Sequence, residues 1–518
     1  MQTWTIERHE VSSEHGLVAA QNMEAAAAGA KVLAAGGNAM DAAIVTALVL
    51  GTVEPWLSGI GGGGFLLHAD GATGAVDTLD FNVRAFAALD PADYPLTGGM
   101  DGEWFAWPAV KDDRNISGYT SICLPGAIDG FAEALARYGT LSWGDALEPA
   151  IAFAARGMAV DWFASLCLAI DAPGLRAFPA SAALFLPGGG PPIAKGATEA
   201  RYLPMPGKAA LLRRLQARGA RDFYEGESAA ILVDDLVEGG AAATAGDLAA
   251  YRAAWRPPLT THYRGRELAL IPGLSGGPSL ARAFALLEKG WTPKAAPDAE
   301  AALAYADAVR GSYRERLNTM GHAAEGDDCT SHVSVVDKAG NMVALTNTIL
   351  SRFGSKVVLP RSGILMNNGM MWFDPRPGMP NSIAPGARPL ANMSPAIMLQ
   401  DGRPALAIGA AGGRTIFPTV AQILSYVVDY GMTLEAAFQT PRIDASTPTI
   451  KVNRAAAPDV AAKVATRFPV EIVDDTLYPT NFAIPSAVGR DLATGRNTGM
   501  GHHSSPWAGV AVGAPADG

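Results

Sequence analysis

Cys329-Thr330-Ser331-His332-Val333-Ser334-Val335-Val336-Asp337 opens a stretch that runs through Lys338-Ala339-Gly340-Asn341 into Met342-Val343-Ala344-Leu345-Thr346-Asn347. Residues 331–336 and 342–347 alternate in polarity, and the Gly-containing turn between them predicts a β-hairpin. A threonine at the head of a strand is ordinary in itself, and its hydroxyl attacks nothing unless a base takes its proton. A free α-amino group on the same residue, with an ordinary pKa of about 8, can be that base. That arrangement requires the chain to be cut immediately before Thr330. The polar linker Gly326-Asp327-Asp328, leading into a strand, has the form such a cut needs.

Working outward, Met23–Ala35 reads as a helix stopped by Gly36-Gly37-Asn38, and a second helix runs from about Asp41 to Val53. After Ser58-Gly59-Ile60-Gly61-Gly62-Gly63-Gly64 comes a strand at Phe65-Leu66-Leu67, with Ala75–Phe81 as its hairpin partner. Pro125–Gly157 and Asp171–Gly290 read mostly as amphipathic helix with Gly and Pro breaks, and Glu300–Asn318 as a long helix. Downstream, strands are expected at Gly363–Met366, Ala396–Leu399 and Leu406–Gly409, and a helix from Ile416 to Val428. Helices lying on antiparallel sheet predict a layered α+β fold rather than a doubly wound parallel one.

Composition narrows the class. Of 518 residues, 17% are charged and 49% hydrophobic, against the about 25% charged of an average soluble domain. Such a chain folds around a large interior and is not intrinsically disordered. Its 40 Lys+Arg against 50 Asp+Glu, a net charge of −10, leave no electrostatic footprint for nucleic acid or an anionic membrane. Cys123, Cys167 and Cys329 make neither a disulfide framework nor a zinc pattern. The apolar run Ala42–Val53 falls short of the about 20 residues that cross a bilayer. Residues 1–11 lack the apolar core of a secretory signal, so a cytoplasmic location is expected. Residues 1–329 hold 25 Lys+Arg and 38 Asp+Glu, whereas residues 330–518 hold 15 and 12.

Two further motifs compete with Thr330. Gly61–Gly64 could cradle a phosphate, but it lacks the P-loop lysine and leads into a strand, which favours a structural loop. Gly273-Leu274-Ser275-Gly276-Gly277 matches the nucleophile elbow of α/β-hydrolases, with His332, His502 and His503 downstream. Flanked by Pro272 and Pro278, it also suits an ordinary turn.

The Thr330–Asp337 stretch resembles the start of the small subunit in the γ-glutamyltransferase family of N-terminal nucleophile hydrolases. The resemblance extends along nearly the whole chain. Gly36-Gly37-Asn38-Ala39-Met40-Asp41-Ala42-Ala43 and Glu54-Pro55 with Ser58–Phe65 are similar to that family's N-terminal signature. Leu124-Pro125-Gly126, Tyr138-Gly139-Thr140, Gly363–Asn368, Ala384–Leu390 and the pair Gly412-Gly413 resemble further blocks in the same order. The resemblance implies a four-layer αββα sandwich and a self-cleaving precursor. Thr330 would attack the carbonyl of Cys329, giving a large subunit 1–329, the helix-rich part of a shared core, and a small subunit 330–518. Such heterodimers could themselves pair as a dimer. The freed Thr330 would then attack a substrate amide. Thr348 would hydrogen-bond the nucleophile, and Gly412 and Gly413 would supply the oxyanion hole. No metal or organic cofactor is implied.

Where the family holds the substrate's α-ammonium with Asn, Gln and Asp, this chain has Leu350, Gly369 and Trp372. The family's Ser-Ser pair, which holds the α-carboxylate, falls on Ala391-Asn392, and its carboxylate-binding Arg falls on Asn82-Val83, with Arg84 two residues on. A buried ammonium without a carboxylate partner is unfavourable. The pocket is therefore expected to have dropped the α-amino acid head and to take another small acyl amide. Some members of the family it resembles hydrolyse oxamate, and others remove glutaryl side chains from cephalosporins. Arg84, Asn392 and Arg352 are candidates for holding a carboxylate, with Leu350 and Trp372 closing the vacated space at one end of the pocket. Arg84 and Arg352 read equally well as structural. A true γ-glutamyltransferase, an unprocessed binding protein and a Ser275 hydrolase are the alternatives.

Overall fold

The Thr330 hairpin forms as its alternation requires. Ser331–Val336 pairs antiparallel with Met342–Thr348, Ser331 opposite Asn347 and Val336 opposite Met342, and Gly340 closes the turn at φ +89°. The structure is a computed structural model that describes residues 7–100, 107–192, 200–322, 331–476 and 478–515.

The hairpin lies at the centre of a seven-stranded sheet. Its order is Gly509–Gly513, Gly16–Ala20, Ser331–Val336, Met342–Thr348, Gly63–Ala69, Val76–Asp80, Ala254–Arg256. A second seven-stranded sheet runs Val11–Ser13, Asn497–Gly501, Ile484–Arg490, Arg403–Ala411, Ala396–Gln400, Arg266–Leu270, Leu259–Tyr263. Neighbours in both are antiparallel. Both sheets contain strands from before and from after the 329/330 junction.

Period-two alternation sorts the hairpin's side chains into two cores. Val333, Val335, Val343 and Leu345 pack with the helices Met23–Ala34 and Ala39–Val53. Val336, Met342 and Ala344 face the second sheet, on the same side of the hairpin as His332, whose ring a β-carbon at Gly409 would meet. On the far side of the second sheet lie the helices Gly277–Gly290, Ala299–Thr319 and Ile416–Tyr430. The layers are helix, sheet, sheet, helix: the α+β αββα sandwich. Every residue of Ala39–Val53 is buried, which is why that helix reads as one apolar run rather than a stripe. It starts at a capping box between Asn38 and Asp41.

Several expectations need correction. Gly363–Met366 makes only isolated bridges, Val358 with Leu365 and Gly61 with Met366. Gly363 takes φ +67° against the backbone of Gly207, so this apolar segment packs as loop. The stretch Asp171–Gly290, expected to be mostly helix, also contains four strands.

Gly63 and Gly64 begin a strand. A β-carbon at Gly62 or Gly64 would overlap the carbonyl of Thr348 or Thr346, so the glycine run lets backbones approach and cradles no anion. Ser275 is fully buried. Its Oγ donates to the Ile271 carbonyl at 2.7 Å and accepts from the Gly277 N–H at 2.9 Å. It is part of a turn and not an exposed nucleophile. Among the described residues, no helix is long and apolar enough to cross a membrane.

Candidate active site

Thr348 ends the Met342–Thr348 strand, fully buried, and borders a cleft of about 150 Å³. Its Oγ1 accepts the Leu350 N–H at 2.7 Å and donates to the Leu57 carbonyl at 3.5 Å. Leu350 sits at φ +80°, a left-handed conformation that costs a β-carbon-bearing residue about 1 kcal/mol. This turn brings Leu350, Ser351 and Arg352 to the rim of the cleft.

The Arg403–Ala411 strand contributes Ala411, Gly412 and Gly413 to the same cleft. Gly412 and Gly413 have φ of +144° and +62°, and a β-carbon on Gly412 would lie 2.7 Å from Ala483 Cα. Only glycine fits there. Two successive backbone N–H groups at such a turn are the kind of donor pair that stabilises an oxyanion. Cys329 and Thr330 lie outside the described residues. Ser331, bonded to Thr330, opposes Asn347, the neighbour of Thr348.

Apolar side chains make most of the remaining wall. Trp372 is fully buried and lines the cleft with Met371 and Leu350. Phe163 stacks on Trp507 at 4.8 Å and 26°, and Trp56 meets Phe163 edge-on at 6.0 Å. Four ionisable carboxyl or basic groups are among the described lining residues: Glu54, Asp171, Arg352 and Lys356. Asp171 comes from the helix Trp162–Arg176. Lys356 Nζ donates to it at 2.8 Å and Arg352 Nε donates to its other oxygen. Lys356 also donates to the Arg352 carbonyl. Two cations thus share one carboxylate. Glu54 is pushed up to about 8 by burial, which an Asn22 amide at 3.5 Å opposes and the Asp161 carboxylate reinforces to a smaller extent. A Glu54 neutral at pH 7 leaves the cleft one positive charge in excess.

Neither the cysteine nor the histidine nearby is activated. Burial pushes the Cys167 thiol up to about 12. It also pushes His332 down to about 3, and its ring nitrogens lie 3.1 Å from Thr346 Oγ1 and 2.8 Å from Ser334 Oγ. His332 is therefore a satisfied core histidine and no general base. No group of three or more His, Cys, Asp or Glu side chains among the described residues is arranged to hold a metal.

Thr348, Leu350, Arg352, Trp372, Gly412 and Gly413 are brought together. Arg84, Asn82, Gly369, Ala391 and Asn392 do not line this cleft, which corrects the expectation that the substituted acyl-recognition positions cluster at one end of one pocket. Arg84 Nε donates to the Gly386 carbonyl at 2.6 Å and borders a separate cleft with Asp80, Arg256 and Arg388. Asn82 is buried, its Oδ1 accepting the Val83 N–H at 2.8 Å. Gly369 packs against Cys123, whose Cβ and Sγ would each lie 2.6 Å from an added β-carbon. Ala391 gives its carbonyl to Arg316, a buried residue of the Ala299–Thr319 helix. Asn392 borders a small cavity with Arg316 and Tyr313. The 391–392 segment is held by that helix and turned from the cleft.

Gln21, Glu54, Asp171, Lys356 and the aromatic wall were not found from sequence. Glu54 alone left a local signal, as an acid closing an apolar helix.

The family model for gamma-glutamyltranspeptidase matches residues 25–324 and 313–468. The chain is 33% identical over 481 residues to the Acylase ACY 1 proenzyme of Pseudomonas sp. (strain SE83), covering 85% of this chain and 84% of that protein. It is 30% identical over 486 residues to the Glutathione hydrolase proenzyme of Bacillus subtilis (strain 168), covering 83% and 80%. The crystal structure of cephalosporin acylase from Bacillus halodurans superposes with a TM-score of 0.87 at 24% identity, over 99% of this chain and 98% of that one, a likeness of fold. With the blocks, the sandwich and the threonine–glycine cleft in agreement, the chain belongs to the gamma-glutamyltranspeptidase family and is an amidohydrolase of the N-terminal nucleophile class.

Proposed function

We propose that this chain is a proenzyme cut between Cys329 and Thr330, whose mature form hydrolyses the mono-amide of a short dicarboxylic acid, oxamate-like or glutaryl in type. The observation that carries the reading is the Arg352–Asp171–Lys356 group beside Thr348, with Leu350 and Trp372 around it. Its surplus cation suits a carboxylate at the far end of an acyl chain. The α-ammonium of a γ-glutamyl head would instead meet apolar side chains, a neutral Glu54 and an excess of positive charge. The relatives named proenzymes support the cut.

In processing, Thr330 Oγ attacks the Cys329 carbonyl and the C–N bond breaks. Water then hydrolyses the ester, leaving a carboxylate on Cys329 and a free amino group on Thr330. In turnover that amino group takes the Thr330 hydroxyl proton as Oγ bonds to the substrate carbonyl, and it returns the proton to the departing amine. The Gly412 and Gly413 N–H groups face the developing oxyanion, Thr348 orients the nucleophile, and water releases the acid.

A substrate panel tests this. Glutaryl-p-nitroanilide is expected to exceed butyryl- and γ-glutamyl-p-nitroanilide in kcat/KM by about tenfold or more, and Arg352→Ala to erase most of that preference, as loss of a charged hydrogen bond does. Equal turnover of the γ-glutamyl or the butyryl compound would refute the assigned acyl group.

A further inference from the structure

Five buried polar atoms of cleft-lining residues have no hydrogen-bond partner among the described residues: the indole nitrogens of Trp56 and Trp372 and, at one corner, both amide atoms of Gln21 and one carboxyl oxygen of Glu54. The Gln21 and Glu54 side chains are 2% and 5% exposed. Gln21 follows the strand Gly16–Ala20, and Glu54 terminates the wholly buried helix Ala39–Val53. Sheet and helix therefore hold both in place. Buried polar groups are almost always paired, so three orphaned atoms on two side chains that line one cavity point to a ligand that pairs them.

The chemistry of the corner defines that ligand. Around Glu54 are Gln21, the Asn22 amide, the Asp161 carboxylate and the Cys167 thiol, with no cation among them. Glu54 keeps its proton until about pH 8 and so offers an O–H donor. Gln21 offers an N–H donor and a carbonyl acceptor. An anion would find no counter-charge here, because the surplus cation of the cleft belongs to Arg352 and Lys356. The complement is a neutral group that both accepts and donates, a carboxamide. The Phe163–Trp507 stack and Trp56 nearby offer faces for a flat ring.

We propose that Gln21 and Glu54 form the leaving-amine subsite of the cleft and bind a neutral carboxamide carried on a planar amine. This rests on the proposed hydrolysis of carboxylate-bearing acyl amides: the charged end of the acyl half falls to Arg352 and Lys356, which leaves this corner to the amine half.

The test compares kcat/KM for glutaryl-4-aminobenzamide and for glutaryl-anilide. The wild type is expected to prefer the carboxamide probe about tenfold, the effect of two neutral hydrogen bonds. Gln21→Ala brings the ratio near one. Glu54→Gln, which keeps a neutral donor, retains the ratio and holds it above pH 8, where the wild type loses it as Glu54 ionises. A wild-type ratio near one, or a ratio that survives Gln21→Ala, overturns the proposal. If neither probe is hydrolysed, the functional reading fails separately, and calorimetric binding of 4-aminobenzamide decides the subsite. Binding that Gln21→Ala abolishes supports it, and no binding to the wild type overturns it.

Discussion

Glu54 and Leu350 both occupy positions where an isolated residue would be better off elsewhere. Glu54 is a carboxyl with no cation beside it, and its folded-state pKa of about 8 exceeds the ordinary value of about 4.3. Below the ordinary value both states are protonated and the residue is neutral to stability. As pH rises towards 8 only the unfolded chain ionises, so stability falls, and it levels off above 8. Glu54→Gln is therefore expected to raise the thermal midpoint increasingly from pH 4 to pH 8, by up to about 5 kcal/mol in stability, and to change little at pH 4. A gain equal at both pH values would contradict the neutral Glu54. Thr348, Gly412 and Gly413 were named through the resemblance to the family's blocks, and the strands Met342–Thr348 and Arg403–Ala411 bring them to one cleft. Gln21, Asp171 and Lys356 were not named, because strand, helix and loop bring them together only in three dimensions. Arg84 and Asn392 were placed by correspondence with the family's carboxylate-binding positions, and a matched position does not say to which side a different side chain falls.

Among the elements, the hairpin 331–348 and its neighbour Gly63–Ala69 carry the site. Alternation fixed the hairpin, and Gly62 shows how closely its end is packed: a β-carbon there would overlap the Thr348 carbonyl. Gly62→Ala is expected to lower stability by more than about 2 kcal/mol and to lower kcat by displacing Thr348. A variant with wild-type midpoint and kcat would contradict this packing. The buried helix Ala39–Val53 was expected from about Asp41 to Val53, and its start at Ala39 is set by the Asn38–Asp41 capping box. Gly363–Met366 misled because its apolar residues are buried as loop, and its backbone bonds go to Leu359 and Val357 rather than to a ladder.

At the scale of the molecule, the residues before and after the 329/330 junction are interleaved. In the hairpin sheet, Gly16–Ala20 lies between Gly509–Gly513 and Ser331–Val336, and in the second sheet Val11–Ser13 pairs with Asn497–Gly501. The opposite charge balance of the two segments is minor beside these shared ladders and cores. The α+β class was legible because helices dominate one stretch of the chain and antiparallel strands another, and the four-layer sandwich was implied by the family resemblance. The strand order was not, since it depends on pairings between distant residues. The most direct measurement is intact-mass analysis, with N-terminal sequencing, of active protein eluted in 1 M salt. The account predicts co-eluting fragments of about 34 and 20 kDa, their shares of 53.6 kDa, the smaller beginning Thr330-Ser331-His332, and a single inactive chain for Thr330→Ala. Full activity in an uncut 518-residue chain, or a small fragment beginning at any other residue, would contradict it.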